Sequence, residues 1–248
     1  RVWRSLGVGA RCDGRSRHGT RPVGGGRVNN AGTGTIKVAI LGAGGFAREV
    51  WWALLDARAH QSALRFEPIM FVDREPHATL LKGLPVGTLA DVPGDTFLIC
   101  GIGGMTDIKT RVVLAARAEG YRFAPAIIAA GARIGPDVEI GDGTIICAGT
   151  IATTDIVIGA HVAINLDCTI GHDAVIGDFV TVSPGCHISG GVHLGSQSYI
   201  GTGATILEHV RIGDHAILGA GAVATNDIGA YALAVGVPAV VKKIRHAA

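Results

Sequence analysis

From Ile134 to about Val223 the chain repeats in steps of six with no insertion. Starting at Ile134, the steps land on Ile140, Ile146, Ala152, Ile158, Ile164 and onward to Leu218, and fourteen of these fifteen positions are Ile, Leu or Val. Gly follows directly at nine of the fifteen, and the fifth position of each hexad is small or β-branched, as at Val138, Thr144, Thr150, Ile156, Val162 and Cys168. On an extended backbone the fifth residue of one hexad and the first of the next are two apart, so both point inward. The Gly then supplies a corner where a Cβ would be crowded. A helix would need apolar residues every three or four, and a hairpin sheet would need turn signals every eight to twelve, so neither fits. Periodicity of this kind predicts a parallel β-helix whose neighbouring coils bury each other's faces.

The repeat resembles that of the hexapeptide-repeat families. The resemblance implies three hexads to a triangular coil of eighteen residues, hence five coils from Ile134, and a left-handed sense. Cys168 and Cys186, eighteen apart at inward positions, then stack in adjacent coils as small core residues of a cytosolic protein. The five Cys contain no CxxC and no zinc spacing with His.

Ahead of the hexads the pattern changes. Ile36 to Leu41 reads as a short buried strand, Gly42 to Ala47 as a glycine turn and Arg48 to Arg58 as a helix with Val50, Trp51, Leu54 and Leu55 on its apolar side. Gly42, Gly44 and Ala47 fit G-x-G-x-x-[GA], the opening of a Rossmann-like sheet whose amides can cradle a phosphate. Pro68 to Val72, ending in Asp73, and Thr96 to Cys100, ending in Gly101 to Gly104, read as further strands. Asp107 to Glu119 reads as a helix leading to the first coil. The expected organisation is an extension over 1–35, a Rossmann-like α/β domain over 36–123, a left-handed parallel β-helix over 124–223 and a C-terminal cap over 224–248.

The charge balance excludes one class of partner. The net charge is +2, yet the first 35 residues hold seven Arg against one Asp, which leaves the remainder acidic. A basic balance confined to one tail argues against nucleic acid. That Gly- and Arg-rich segment has no apolar h-region and is expected to be disordered. No apolar run approaches the length of a membrane span, and a cytoplasmic location is expected.

On the coils, His172 and Asp173 take the third and fourth positions of their hexad and are expected to face outward from a corner. A neutral imidazole can take a proton from an amine or hydroxyl that attacks a thioester, and an adjoining carboxylate raises its basicity. One coil further stands Gly190, a side-chain-free position that leaves a backbone N–H open to a developing oxyanion. His161, His187, His193, His209 and His215 read as solvent or subunit-contact residues. Ser183 has no flanking base for a covalent route.

Over residues 36 to 244 the chain resembles the family of bacterial sialic-acid O-acetyltransferases and nucleotide-amino-sugar N-acetyltransferases. The resemblance rests on Gly42 to Val50, Phe71-Val72-Asp73, Leu84 to Gly87, Ile170 to Asp173, Ile176 to Phe179 and Gly236 to Ala239. It implies an acetyl-CoA-dependent acetyltransferase acting on the amino or hydroxyl group of a nucleotide-linked sugar or sialic acid, assembled as a homotrimer with acetyl-CoA between two β-helices. By this resemblance His172 is the general base, Asp173 strengthens it and Gly190 sits by the thioester carbonyl. Gly44, Gly45, Phe46, Asp73, Arg74 and Gly103 would line the sugar-nucleotide site. Thr181, Thr202 and Ala220 would border acetyl-CoA, and no metal is expected. Departures are Ala129-Ala130 where the family carries His-Pro, Thr181 for a second His, and Val240 for a Lys, which would pass a CoA phosphate contact to Lys242 or Lys243. Three other readings stand beside this one: an NAD-dependent oxidoreductase, for which the front unit is small; a carbonic-anhydrase-type metalloenzyme; and a non-catalytic trimeric scaffold.

Overall fold

The computed structural model describes residues 34–245 apart from 56, 61, 62 and 105. The expected disordered extension therefore lies outside the described residues, except for its last two positions.

The β-helix begins one hexad earlier than the sequence count, at Ile127–Ile128, and runs to Val223–Ala224, which makes five full turns and two sides of a sixth. Its first coil places Ile127–Ile128 on one face, Arg133–Ile134 on a second and Val138–Ile140 on a third. Every later strand pairs in parallel with the one a coil before it; along the first face the register runs Ile127, Ile145, Ala163, Thr181, Tyr199, Ile217. The period of eighteen is thus exact in the hydrogen bonding as well as in the sequence. Fifth-position residues such as Ile156, Cys168, Val180 and Ala204 are fully buried, and with the first-position aliphatics they form one continuous core.

The corners assign two jobs to two positions. Second-position glycines are needed because the next coil passes close by: a Cβ on Gly171 would stand 2.6 Å from the Gly190 nitrogen, and one on Gly177 2.7 Å from that of Ser196. The left-handed backbone lies two residues later, at the fourth position, where Asp137, Asp155, Asp167, Asp173 and Phe179 all have φ between 54° and 60°. Asp is among the non-glycine residues that tolerate this region best, which explains its recurrence there.

The front unit comprises β1 (Thr35–Leu41), α1 (Gly45–Leu54), β2 (Arg58–Ala59), β3 (Arg65–Val72), β4 (Leu80–Leu81), β5 (Leu84–Gly87), β6 (Phe97–Cys100) and α2 (Thr106–Ala118). Strands β5, β3, β1 and β6 run parallel in that order, accompanied among the described residues by two α-helices. Helix α1 starts three residues before the sequence reading and stops four before it, closing at Leu54. β2 pairs antiparallel with both β3 and Ile127–Ile128, so the front sheet continues into the first face of the β-helix. The front unit covers that face. Ile127 and Ile145 point out of the solenoid yet are buried against Val50 and Leu54 of α1, whereas Ile151 on the second face is 40% exposed.

His161 corrects the sequence reading that placed it in solvent. It is only 2% exposed, stacked on Phe179 at 5.0 Å and edge-on to Phe123 at 4.7 Å, and neither ring nitrogen has a partner. Burial, with Arg117 and Lys109 nearby, pushes its pKa down to about 3. The folded state holds the ring neutral, so its share of stability is complete above the unfolded pKa near 6.5 and declines as pH falls toward 3. Between pH 6.5 and 5 the loss is about 2 kcal/mol, from about 1.4 kcal/mol per unit. His161→Phe should remove that loss, since Phe179 already occupies the same corner position at φ 60°. Denaturant unfolding of both proteins at pH 7 and pH 5 checks this; equal pH slopes would contradict it.

At the far end, Ala232–Val235 extends the first face in parallel and Val240–Ile244 folds back antiparallel on it. Lys242 and Lys243 lie on this last, exposed strand.

Candidate active site

The first part of the site is a cavity of about 1000 Å³ at the C-terminal ends of β1, β3 and β6. Open parallel sheets bind ligands at such ends. Gly44, Gly45, Phe46, Asp73, Arg74 and Gly103, the six residues expected to hold the sugar nucleotide, all line it. Gly42, at φ 103°, turns the chain from β1 toward α1 and donates its N–H to Val72 O at 2.7 Å. Gly44 is the N-cap of α1 without a side-chain cap, and no acidic side chain occupies the first turn. The first amides of the helix are therefore available to an anion such as a phosphate. Gly103 must be Gly because Phe46 packs on it: a Cβ there would lie 2.8 Å from the Phe46 Cβ.

The sequence reading missed the cavity's other wall. Thr88, Leu89 and Ala90 line it, on a 3-10 turn fixed by a capping box in which Asp91 accepts from both the Thr88 N–H and hydroxyl at 2.8 Å. Thr88-Leu-Ala-Asp91 carries the T-x-x-D spacing, so the signal was present.

The second part is on the β-helix. His172 and Asp173 project from the corner between the second and third faces, both exposed. Asp173 is held at φ 59°, which aims its carboxylate back at the preceding ring. The His172 Nδ1–H donates to Asp173 Oδ2 at 2.7 Å, leaving Nε2 with its lone pair outward. Gly190 lies directly beside the ring one coil on: a Cβ there would stand 2.6 Å from Nε2. The Gly191 N–H donates to His172 O at 2.8 Å and locks the two corners in register.

The remaining predicted positions separate. Thr202 and Ala220 are exposed on a different corner, between the first and second faces, one coil apart. Thr181 is only 5% exposed, lies under α2 and accepts a hydrogen bond from Lys109 Nζ at 3.0 Å, so it does not share their surface. Ser183 is buried against the Tyr199 hydroxyl. Among the described residues no three His, Cys, Asp or Glu side chains are grouped to hold a metal. Ala129 and Ala130 border a small apolar slot with Trp52 and Leu166. The thiols are core groups: burial pushes Cys147 up to about 12, and Cys168 is raised by its contact with Cys186.

Residues 191–226 match the family model for the bacterial transferase hexapeptide (six repeats). Perosamine N-acetyltransferase from Caulobacter crescentus, solved as a histidine mutant with CoA and GDP-perosamine, is 30% identical; the match covers 84% of this chain and 97% of that one, with a TM-score of 0.73. The chain belongs to the hexapeptide-repeat transferase family. WeeI from Acinetobacter baumannii is 31% identical over 84% of this chain and 99% of its own, at a TM-score of 0.72. The acetyltransferase domain of PglB from Neisseria gonorrhoeae, solved with acetyl coenzyme A, is 30% identical over 83% and 98% respectively, also at 0.72. A comparison with curated proteins found no match. Membership fixes the coil as a left-handed parallel β-helix and the protein as an acyltransferase. No helix among the described residues is long and apolar enough to cross a membrane.

Proposed function

We propose that the protein transfers the acetyl group of acetyl-CoA to an amine of a nucleotide-linked sugar, by direct attack with His172 as general base. The observation that carries this reading is the His172–Asp173 dyad set beside side-chain-free Gly190. The solved relatives supply the substrate class, since one holds CoA with GDP-perosamine and another acetyl coenzyme A. His172 Nε2 takes the proton of the attacking amine, the Gly190 N–H faces the oxyanion that develops on the thioester carbonyl, and the CoA thiolate leaves.

In this reading the front unit, 36–123, is a Rossmann-like domain that holds the nucleotide sugar, the β-helix spans 124–223, and 224–248 caps it. The front unit covers the first face, while His172 stands at the opposite corner of the triangular coil. One copy's cavity therefore works with a neighbour's His172, as a homotrimer packed through its β-helices would allow. Thr202 and Ala220, one face away from the dyad, would then border acetyl-CoA between copies, with Lys242 or Lys243 near its phosphates. A cytoplasmic location would give access to both substrates.

The test is thiol release from acetyl-CoA with GDP- and UDP-linked 4-amino-sugars and with free and nucleotide-linked sialic acid. Turnover on an amino-sugar is expected. Turnover on sialic acid alone would move the reaction to O-acetylation, and none on any acceptor would overturn the proposed substrates.

A further inference from the structure

Helix α2 follows the Gly101–Gly104 loop and lines the cavity with Val112, Ala115 and Ala116, and it carries a lysine that faces away from water. Lys109 is 2% exposed, and its Nζ donates to Val180 O at 3.1 Å and Thr181 Oγ1 at 3.0 Å, both on the fourth coil. One turn earlier the Thr106 hydroxyl donates to Gln197 O at 2.7 Å, on the loop that leads to the fifth coil. Two carbonyls of the solenoid backbone thus fix the first turns of α2, and Gly101 to Gly104 precede those turns immediately. Gly103 bears on Phe46 and Gly101 on Ile40 and Ala47, with no side chain to take up a shift. Movement of α2 would pass straight into both loops of the cavity.

A lysine is a costly way to fill such a contact. Burial lowers its pKa to about 8, so the ammonium is retained at neutral pH at the expense of its hydration. An aliphatic side chain would pack the same space without that penalty, whereas a charged donor fixes direction as well as contact.

We infer that Lys109 is a positioning residue, which pins the Gly101–Gly104 wall of the sugar-nucleotide cavity to the solenoid through Val180 O and Thr181 Oγ1. The kinetic consequence rests on the proposed function; the mechanical one does not. Thr181 thereby acts from beneath α2 rather than at the acetyl-CoA surface.

The full chain is compared with Lys109→Met, which keeps the length and loses the donors. Amide hydrogen exchange at Gly101 and along α2 is expected to rise about tenfold or more, with Thr169 and His187 on the solenoid unchanged. The KM for a nucleotide-linked 4-amino-sugar should rise by a similar factor while kcat at saturation stays within about twofold. Thr181→Val should shift both readouts in the same direction by less, and Thr181→Ser should restore them; this pair decides the matter if Lys109→Met does not fold. Exchange at Gly101 and α2 equal to wild type, or a rise spread evenly over the solenoid, would overturn the inference. If wild type turns over no nucleotide sugar, the transferase reading fails, and the exchange result still decides the role of Lys109.

Discussion

His172→Ala is expected to lower kcat by about 10²–10⁴-fold, the usual contribution of a placed general base, with the unfolding transition unmoved. Stability should hold because the side chain is exposed and its hydrogen bond is to a neighbour equally exposed; surface changes of this kind rarely exceed about 0.5 kcal/mol. The separation of activity from stability is what makes the variant informative. Acetyl-CoA should still bind, since the imidazole is assigned to proton transfer and not to holding the cofactor, so KM for acetyl-CoA stays near wild type. Asp173→Asn should cost less than His172→Ala: the amide can still accept from Nδ1–H, but it no longer favours the charged imidazolium that forms when the ring takes the proton. Steady-state rates by thiol release, beside thermal unfolding of each variant, check both. Turnover within threefold of wild type in His172→Ala would remove the ring from the chemistry and leave the dyad as a surface pair.

How much of this could be read from residues alone depends on the distance over which each contact acts. The hexads were legible because their spacing is the structure: two residues apart means the same side of a strand, and Val138, Thr150, Cys168 and Ala204 duly lie in the core. The neighbourhood of His172 and Gly190 followed from adding one coil length, and the hydrogen bond from Gly191 to His172 confirms that register. The six cavity residues came from the resemblance to the acetyltransferase family, and they share one cavity because they sit at or just beyond the strand ends of a parallel sheet. Other features depend on where the front unit lands. Lys109 sits on a helix whose sequence gives no reason to bury a cation, and its partners are 71 and 72 positions away. His161 looked like any corner residue until α2 and Phe123 closed over it. β2, two residues long, carries no period at all, yet it joins the front sheet to the first coil. The crowding expected at the corner glycines is what Gly171 and Gly177 show, whereas the left-handed position two residues on had no sign in the repeat. Crowding is visible in a repeat, but the left-handed turn at Asp155 or Asp173 is a backbone property that Asp only permits.

Gly190→Ala separates the geometry of the dyad from its chemistry. The φ of Gly190 is outside the left-handed region, so the backbone accepts an alanine without strain. The obstacle is the His172 ring, whose Nε2 and Cε1 would lie 2.6 and 2.7 Å from the new methyl. An exposed ring can swing away at little cost in stability, and it would do so by leaving the position where Asp173 holds it. The expected result is a protein that melts within a few degrees of wild type and loses about 10-fold or more in kcat/KM, since misplacing a catalytic group by about 1 Å carries a penalty of that order. The same methyl would also stand beside the amide assigned to the oxyanion, so acetyl-CoA turnover should suffer even with a saturating acceptor. Gly185→Ala provides the contrast: it has open space for a Cβ but a φ of 68°, and it should lower stability while sparing the rate. If Gly190→Ala kept full activity, the ring would not need its observed place beside the next coil, and the register of His172 over Gly190 would be a consequence of the repeat with no bearing on catalysis.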